Sequence, residues 1–229
     1  MTTRRFSMHP WQTLASRPLL DRQPWLSVWE EDVRLPNGLT IDGYLRARGR
    51  DYAMIFALLE DGTTPLVRQY KQGVGRPMYD LPAGYLDTPD ESPLVAAQRE
   101  LLEETGLIAG RWQSLGLLVI DTNRGDTRAH FYLALDAQPN GRQHLDPTEA
   151  IEVSYHRPEE LRRMVLNREI DSLASVAGIM LALDVMGTGG RSQESGGRSQ
   201  ETGGPRPLRR PDLAASGRLP VARSQTGHS

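Results

Sequence analysis

The chain has 229 residues, 38% hydrophobic and 24% charged, with 27 basic against 29 acidic side chains and a formal net charge of −2, which is enough apolar content for at least one real core. It contains no cysteine, which excludes a disulfide framework, a thiolate metal site and cysteine nucleophiles, and permits a reducing compartment. No run approaches the roughly eighteen apolar residues of a membrane span, so no membrane partner is expected.

The start, MTTRRFSMHPWQ, holds the pair Arg4-Arg5, but His9, Pro10, Gln12 and Arg17 interrupt anything that could serve as an apolar signal core. Export is not expected, the location is read as cytoplasmic, and residues 1–23 are read as an N-terminal extension. Residues 25–35 and 39–48 partly alternate apolar and polar positions around Pro36-Asn37-Gly38, the pattern of a hairpin. Tyr52–Leu59 is continuously apolar and reads as a buried strand, turned by Asp61-Gly62 into a second strand over 65–70. Met78–Leu81 is a further short strand. After a helix discussed below, Trp112–Ile120 and Ala129–Asp136 read as strands joined by residues 121–126, and Ile151–His156 as the last strand. Pro158 opens a helix to about Leu166, and Ser172–Met186 forms another with Ala174, Val176, Met180, Leu181 and Val185 as buried candidates.

Composition changes at Gly187. GGRSQES at 189–195 is followed by GGRSQET at 196–202, and the remainder is rich in Pro and Arg. Residues 187–229 carry seven Arg against Glu194, Glu201 and Asp212, a net of +4, leaving 20 basic and 26 acidic residues in the first 186, a net of −6. Such a segment has too little apolar surface to pack and is expected to be a disordered low-complexity tail. Seven scattered arginines, in a chain whose one lysine is Lys71, give no reason to expect a nucleic-acid partner.

The chemistry-bearing stretch is Pro82–Leu107, PAGYLDTPDESPLVAAQRELLEETGL. Ser92 is placed to cap a helix, Pro93 suits its first position, and Gly106 can take the left-handed conformation that ends it. Leu94, Ala97, Leu101 and Leu102 supply an apolar stripe. Glu100, Glu103 and Glu104 fall at i, i+3 and i+4, so their carboxylates share one face, with Cβ atoms roughly 5–6 Å apart. Like charges that close repel, so the face either stays solvated or binds a cation, and an all-oxygen donor set selects Mg²⁺ or Mn²⁺, which keep waters and substrate phosphates as further ligands.

The stretch resembles the Nudix box: glycine, five residues, Glu, seven residues, then Arg-Glu-apolar-any-Glu-Glu-any-Gly-apolar. Glu91, Arg99, Glu100, Leu101, Glu103, Glu104, Gly106 and Leu107 fit it, while six residues rather than five separate Gly84 from Glu91, a one-residue insertion in a loop. The resemblance covers roughly residues 24–186. It implies an α+β fold, the Nudix-type αβα sandwich with a mixed sheet. It also implies a metal site with Glu100 and Glu104 as main ligands, the Ala83 carbonyl as a backbone ligand and Glu103 as a further ligand or the partner of a metal-bound water. Glu103 and Arg99 count among the catalytic residues, Arg99 and Glu91 holding the arrangement rather than reacting, with Gly84 and Gly106 in support. Leu35-Pro36-Asn37-Gly38, Val67-Arg68-Gln69-Tyr70-Lys71, Leu81-Pro82-Ala83-Gly84 and Ile170-Asp171-Ser172-Leu173-Ala174-Ser175 resemble the ADP-ribose pyrophosphatase branch; that branch's proline after the box is replaced by Asp121-Thr122-Asn123.

What this branch implies is metal-dependent hydrolysis of the pyrophosphate bond of ADP-ribose or a related nucleotide sugar by a homodimer. Arg68 is a candidate for a substrate phosphate, balanced by a surface ion-pair reading, and Trp25 and Trp29 are candidates to stack a purine, balanced by half-buried strand positions. The branch also implies a loop glutamate that acts on the attacking water. Glu149, in His144-Leu145-Asp146-Pro147-Thr148-Glu149-Ala150, fits that position best, with Glu152 in the following strand as the alternative. The competing functions are a hydrolase of another nucleoside diphosphate-linked substrate and a Nudix-like module that senses a nucleotide without turning it over. Such modules usually lose box acids, and this chain keeps them all.

Overall fold

The computed structural model describes residues 9–88 and 90–191, and the side chains up to residue 187. Among the described residues ten strands and three helices occur in the order β1 Gln12–Arg22, β2 Leu26–Arg34, β3 Thr40–Gly49, β4 Tyr52–Leu59, β5 Thr64–Lys71, β6 Arg76–Asp80, β7 Ala83–Tyr85, α1 Pro93–Thr105, β8 Leu107–Val119, β9 Arg128–Pro139, β10 Ile151–His156, α2 Pro158–Leu166 and α3 Leu173–Arg191. The strands form three sheets, ordered β1-β2-β3, β10-β5-β6 and β7-β4-β9-β8.

The third sheet is mixed, because β4 runs parallel to β9 while β7 and β8 lie antiparallel to their neighbours. The continuous apolar run of β4 is explained by helices on both of its faces. Ala53, Ile55 and Ala57 point one way, into a core with Ala96, Ala97 and Leu101 of α1 and Ala134 and Ala137 of β9. Met54 and Phe56 point the other way, packing with Phe131 and Leu133 of β9, Leu161 and Met164 of α2, and Ile179 and Ala182 of α3. The period of two along β4 thus divides one strand between two cores. Side chains buried as fully as Phe56, Phe131, Ile55 and Leu101 contribute about 1.5–3 kcal/mol each. This is the α+β sandwich that the sequence implies, with α1 on one side and α2 and α3 on the other.

Several boundaries agree closely with the sequence reading, among them the Pro36–Gly38 hairpin, β10 and α2. Other features differ: β7 forms where no strand is expected, β8 begins at Leu107 rather than Trp112, and Met180, a buried candidate of α3, is exposed. Residues 12–22, read as part of an extension, form β1, which pairs antiparallel with β2 from Gln12↔Arg34 to Arg22↔Leu26. Arg17 secures it with bonds of 2.7 Å to both Glu30 and Asp32 on β2. At the other end, the α3 backbone runs to Arg191, so the compositional break at Gly187 lies within a helix. The rest of the expected tail, 192–229, is outside the described residues. No described helix is long and apolar enough to cross a membrane.

Candidate active site

The acids of α1 meet the backbone that leads into the helix. Pro93 occupies the first turn and Gly106 closes the last, at φ 70°, ψ 16°, its N–H donating to the Leu102 carbonyl. Ser92 does stand at the N-cap, but it makes no side-chain capping bond; only its carbonyl takes part, accepting from Ala96 N–H at 3.1 Å. The apolar stripe is centred on Ala96, Ala97 and Leu101, with Leu94 and Leu102 only half-buried.

The shared acidic face is withdrawn from solvent at Glu104 and in part at Glu100, while Glu103 stays partly exposed. Glu104 is 5% exposed, and its Oε2 accepts the backbone N–H of Ala83 at 2.9 Å. Ala83 itself is held by its β7 pairing with Met54 of β4. Glu100 lies so close to the next residue that a Cβ on Gly84 would fall 1.9 Å from its Cδ and Oε1. Glycine at position 84 is therefore what admits the Glu100 carboxylate.

Arg99 binds this group together. Its Nη1 donates to Glu100 Oε1 at 2.7 Å and to Glu103 Oε2 at 3.1 Å, and its Nη2 to the Tyr85 carbonyl at 2.9 Å. Nε lies 3.4 Å from Asp87 and 3.5 Å from Glu91 without a hydrogen bond of its own. Glu91 also accepts the N–H of Asp87, so the enlarged loop after Gly84 is closed on Arg99 and Glu91. Burial opposes the Arg99 charge, but Glu100, Asp87 and Glu103 outweigh it and hold its pKa above the ordinary range.

The carboxylates are strained electrostatically. Burial pushes Glu104 up to about 8, with the Ala83 N–H and the Lys71 ammonium pulling back and the charges of Glu100 and Glu149 adding to the rise. Burial likewise pushes Glu100 up to about 6, against Arg99 and with Glu103 and Glu149. Desolvated acids repelling one another fit a hard divalent cation, which removes both penalties at once.

Glu149 lies in the loop between β9 and β10, where its N–H donates to the Asp146 carbonyl at 2.9 Å and its Oε2 accepts from Asp146 N–H at 3.2 Å. Its charge acts on both Glu100 and Glu104. Glu152 is differently engaged: it faces Arg68 across the β10–β5 ladder, with their side chains 3.3 Å apart. Arg68 also lies over the Tyr79 ring at 5.7 Å. The two tryptophans are separated in role. Trp25 is 63% exposed, whereas Trp29 is half-buried in β2, its Nε1 bonded to Glu31 at 2.9 Å and its ring covered by Arg46.

Residues not singled out by the sequence complete the surroundings. A cavity of about 210 Å³ beside Glu104 is lined in part by Tyr52, Lys71, Asp80 and Tyr85. Arg50 stands between two rings, 5.1 Å from Trp25 and 5.0 Å from Tyr85, and a second cavity of about 410 Å³ opens there along Pro24, Arg48, Arg50 and Asp87. No period or motif marks Arg50. Lys71 is visible as the single lysine and as the end of Val67-Arg68-Gln69-Tyr70-Lys71, neither of which places it beside Glu104.

Residues 49–175 match the NUDIX domain and residues 11–44 match the nucleoside diphosphate sugar hydrolase N-terminal domain. The chain belongs to the Nudix hydrolase family. The second match begins at β1, ahead of residue 24 where the sequence reading begins the Nudix domain. An ADP-ribose pyrophosphatase of Mycobacterium tuberculosis is 33% identical over 184 residues, covering 79% of this chain and 86% of the relative. An ADP-ribose pyrophosphatase of Bacillus subtilis is 27% identical over 146 residues, 63% of this chain and 78% of the relative. The crystal structure of an ADP compounds hydrolase superposes with a TM-score of 0.72 at 22% identity, over 81% of this chain and 98% of that one, a likeness of fold. In this Nudix protein the box acids, the closing arginine and the backbone of Ala83–Gly84 form one cluster.

Proposed function

We propose that the protein hydrolyses the pyrophosphate bond of a nucleoside diphosphate derivative, ADP-ribose or a related nucleotide sugar, with Mg²⁺ or Mn²⁺. The observation that carries this reading is the buried Glu104 with the half-buried Glu100, pressed against the Ala83–Gly84 backbone and raised to about 8 and about 6. The matched relatives named as ADP-ribose pyrophosphatases support the substrate class.

Glu100, Glu104, Glu103 and the Ala83 carbonyl would hold the metal, which when bound neutralises the diphosphate oxygens and polarises the phosphoryl group. Arg99 keeps Glu100 and Glu103 aimed, and Glu91 and Gly106 fix the ends of the segment that carries them. Glu149, free of the box and on a loop, takes the proton of the attacking water as its oxygen bonds to phosphorus and the bridging oxygen leaves with the other phosphate. The exposed Trp25 ring, beside Arg50 and Tyr85, suits a flat purine. Arg68 and Trp29, already engaged by Glu152 and Glu31, take a secondary part in substrate contact. Strand β1 stands at one edge of the β1-β2-β3 sheet, whereas the β3 edge is partly covered by the Ala47 N–H bond to the Arg124 carbonyl; β1, with its exposed Leu14 and Leu19, suits a homodimer.

The test is product analysis on ADP-ribose, NADH, sugar nucleotides, diadenosine polyphosphates and coenzyme A with Mg²⁺. Cleavage of ADP-ribose is the expected result, lost in Glu104→Gln with the fold kept. Glu149→Gln should lower kcat by about 10²–10⁴-fold with KM little changed, and Glu152→Gln should remain near wild type. Binding of ADP-ribose with no release of AMP would make the protein a sensing module instead.

A further inference from the structure

The last carbonyls of a helix have no partner within the helix, and α1 finds two of its partners in a distant loop. Gly106 N–H takes the Leu102 carbonyl at 2.8 Å, while the N–H of His144 donates to the Glu103 carbonyl at 2.9 Å. The side-chain Nε2 of Gln143 donates to the Glu104 carbonyl. Asn140 N–H donates to the Gly106 carbonyl at 2.8 Å, and the Gly141 carbonyl passes so near that a Cβ on Gly106 would sit 2.8 Å from it. The glycine that closes the box thus also leaves room for this loop.

The segment that leaves the cap carries Glu149, five residues beyond His144. At its other end, Ile151 is held by pairing with Gln69 of β5. With the cap in place, Glu149 lies on a tether of a few residues, each spanning at most about 3.3–3.6 Å, between two fixed points. Without all of these bonds, the first fixed point retreats to Pro139 at the end of β9, ten residues from Glu149; without the Gln143 bond alone, the main-chain bonds of His144 and Asn140 still hold the loop, more loosely by one tie. A longer free segment leaves the glutamate more positions to occupy.

From this arrangement we infer that Gln143 is a positioning residue for the hydrolysis. Its side-chain amide adds a tie from the loop of Glu149 to the main chain of Glu104, beside the main-chain bond of His144 to Glu103, and so narrows the positions the base can take relative to the carboxylate cluster. The inference rests on Glu149 being the base. Gln143 is solvent-exposed, so water competes for the bond and the effect is that of one ordinary hydrogen bond.

Gln143→Met removes the donor at similar length, and Gln143→Lys keeps a donor within reach. Gln143→Met should lower kcat about fivefold, the worth of one net hydrogen bond, with KM within about twofold. Gln143→Lys should recover most of the loss. In a Glu149→Gln background Gln143→Met should have no further effect, because it acts only through the side chain already removed. A kcat unchanged in Gln143→Met, or the same fivefold loss repeated in the Glu149→Gln background, would overturn the inference while leaving the base assignment standing. Full activity in Glu149→Gln alone would remove the base and the inference together.

Discussion

Replacing Gly84 by alanine separates the position of the Glu100 carboxylate from the stability of the fold. The new Cβ would lie 1.9 Å from Glu100 Cδ and Oε1 and 2.3 Å from Oε2, where real contacts begin at 3.0 Å. The carboxylate must therefore retreat by about 1 Å, and a misplacement of that size can cost about 10²-fold in rate. The atoms that must move are the end of a flexible side chain, not backbone, and Gly84 does not have the left-handed φ that would strain an alanine. Alanine also restricts the unfolded chain, a gain of about 0.4–1 kcal/mol that offsets part of the cost of the shift. Gly84→Ala is thus expected to lose about 10²-fold in kcat while its thermal midpoint moves little. Steady-state hydrolysis of ADP-ribose with Mg²⁺ and thermal unfolding by circular dichroism read the two quantities. A kcat within about twofold of wild type would show that close contact between Glu100 and the Gly84 backbone is not what aligns the site, and a collapse of the midpoint would place the cost in the fold instead.

Other outcomes follow from the same geometry. Glu104 and Glu100 have raised pKa values in the folded protein, so the metal-free fold loses stability as pH climbs from the ordinary carboxylate value near 4.5 towards about 8 and regains it as pH falls. Mg²⁺ should raise the melting temperature far more at pH 8.5 than at pH 5, where Glu104 is protonated, and equal shifts in a fluorimetric scan would count against this metal site. Ser175, fully buried, accepts Leu81 N–H at 3.1 Å and donates to Asp80 at 2.8 Å. Ser175→Ala should cost about 1–3 kcal/mol in urea unfolding, because Leu81 N–H is left without a partner; a change under about 0.5 kcal/mol, the level of an ordinary surface substitution, would contradict that. Light scattering at micromolar concentration should give twice the chain mass of 25.5 kDa, and a monomer mass would remove the homodimer.

The box helix is legible in the sequence apart from its Ser92 side-chain cap, which does not form, because its start, stop and acids are local. Pro93, Gly106 and the spacing of Glu100, Glu103 and Glu104 constrain φ and ψ within a few residues. The apolar run of β4, together with β10 and α2, was legible for the same reason: a period or a proline signals the element from within. Strand β1 was not, since Arg17 and Pro18 interrupt any alternation and only pairing with Glu30 and Asp32 on β2 orders it. Helical spacing put the three glutamates on one face, but only tertiary structure decided that Glu104 is buried. Its cover is Ala83, brought over by β7 pairing with β4. The approach of Arg50 to Trp25 and Tyr85 and the capping of α1 by Gln143 and His144 were equally invisible. Each joins residues about 25 or more positions apart, and a contact closed across a long loop leaves no period in the chain between its ends.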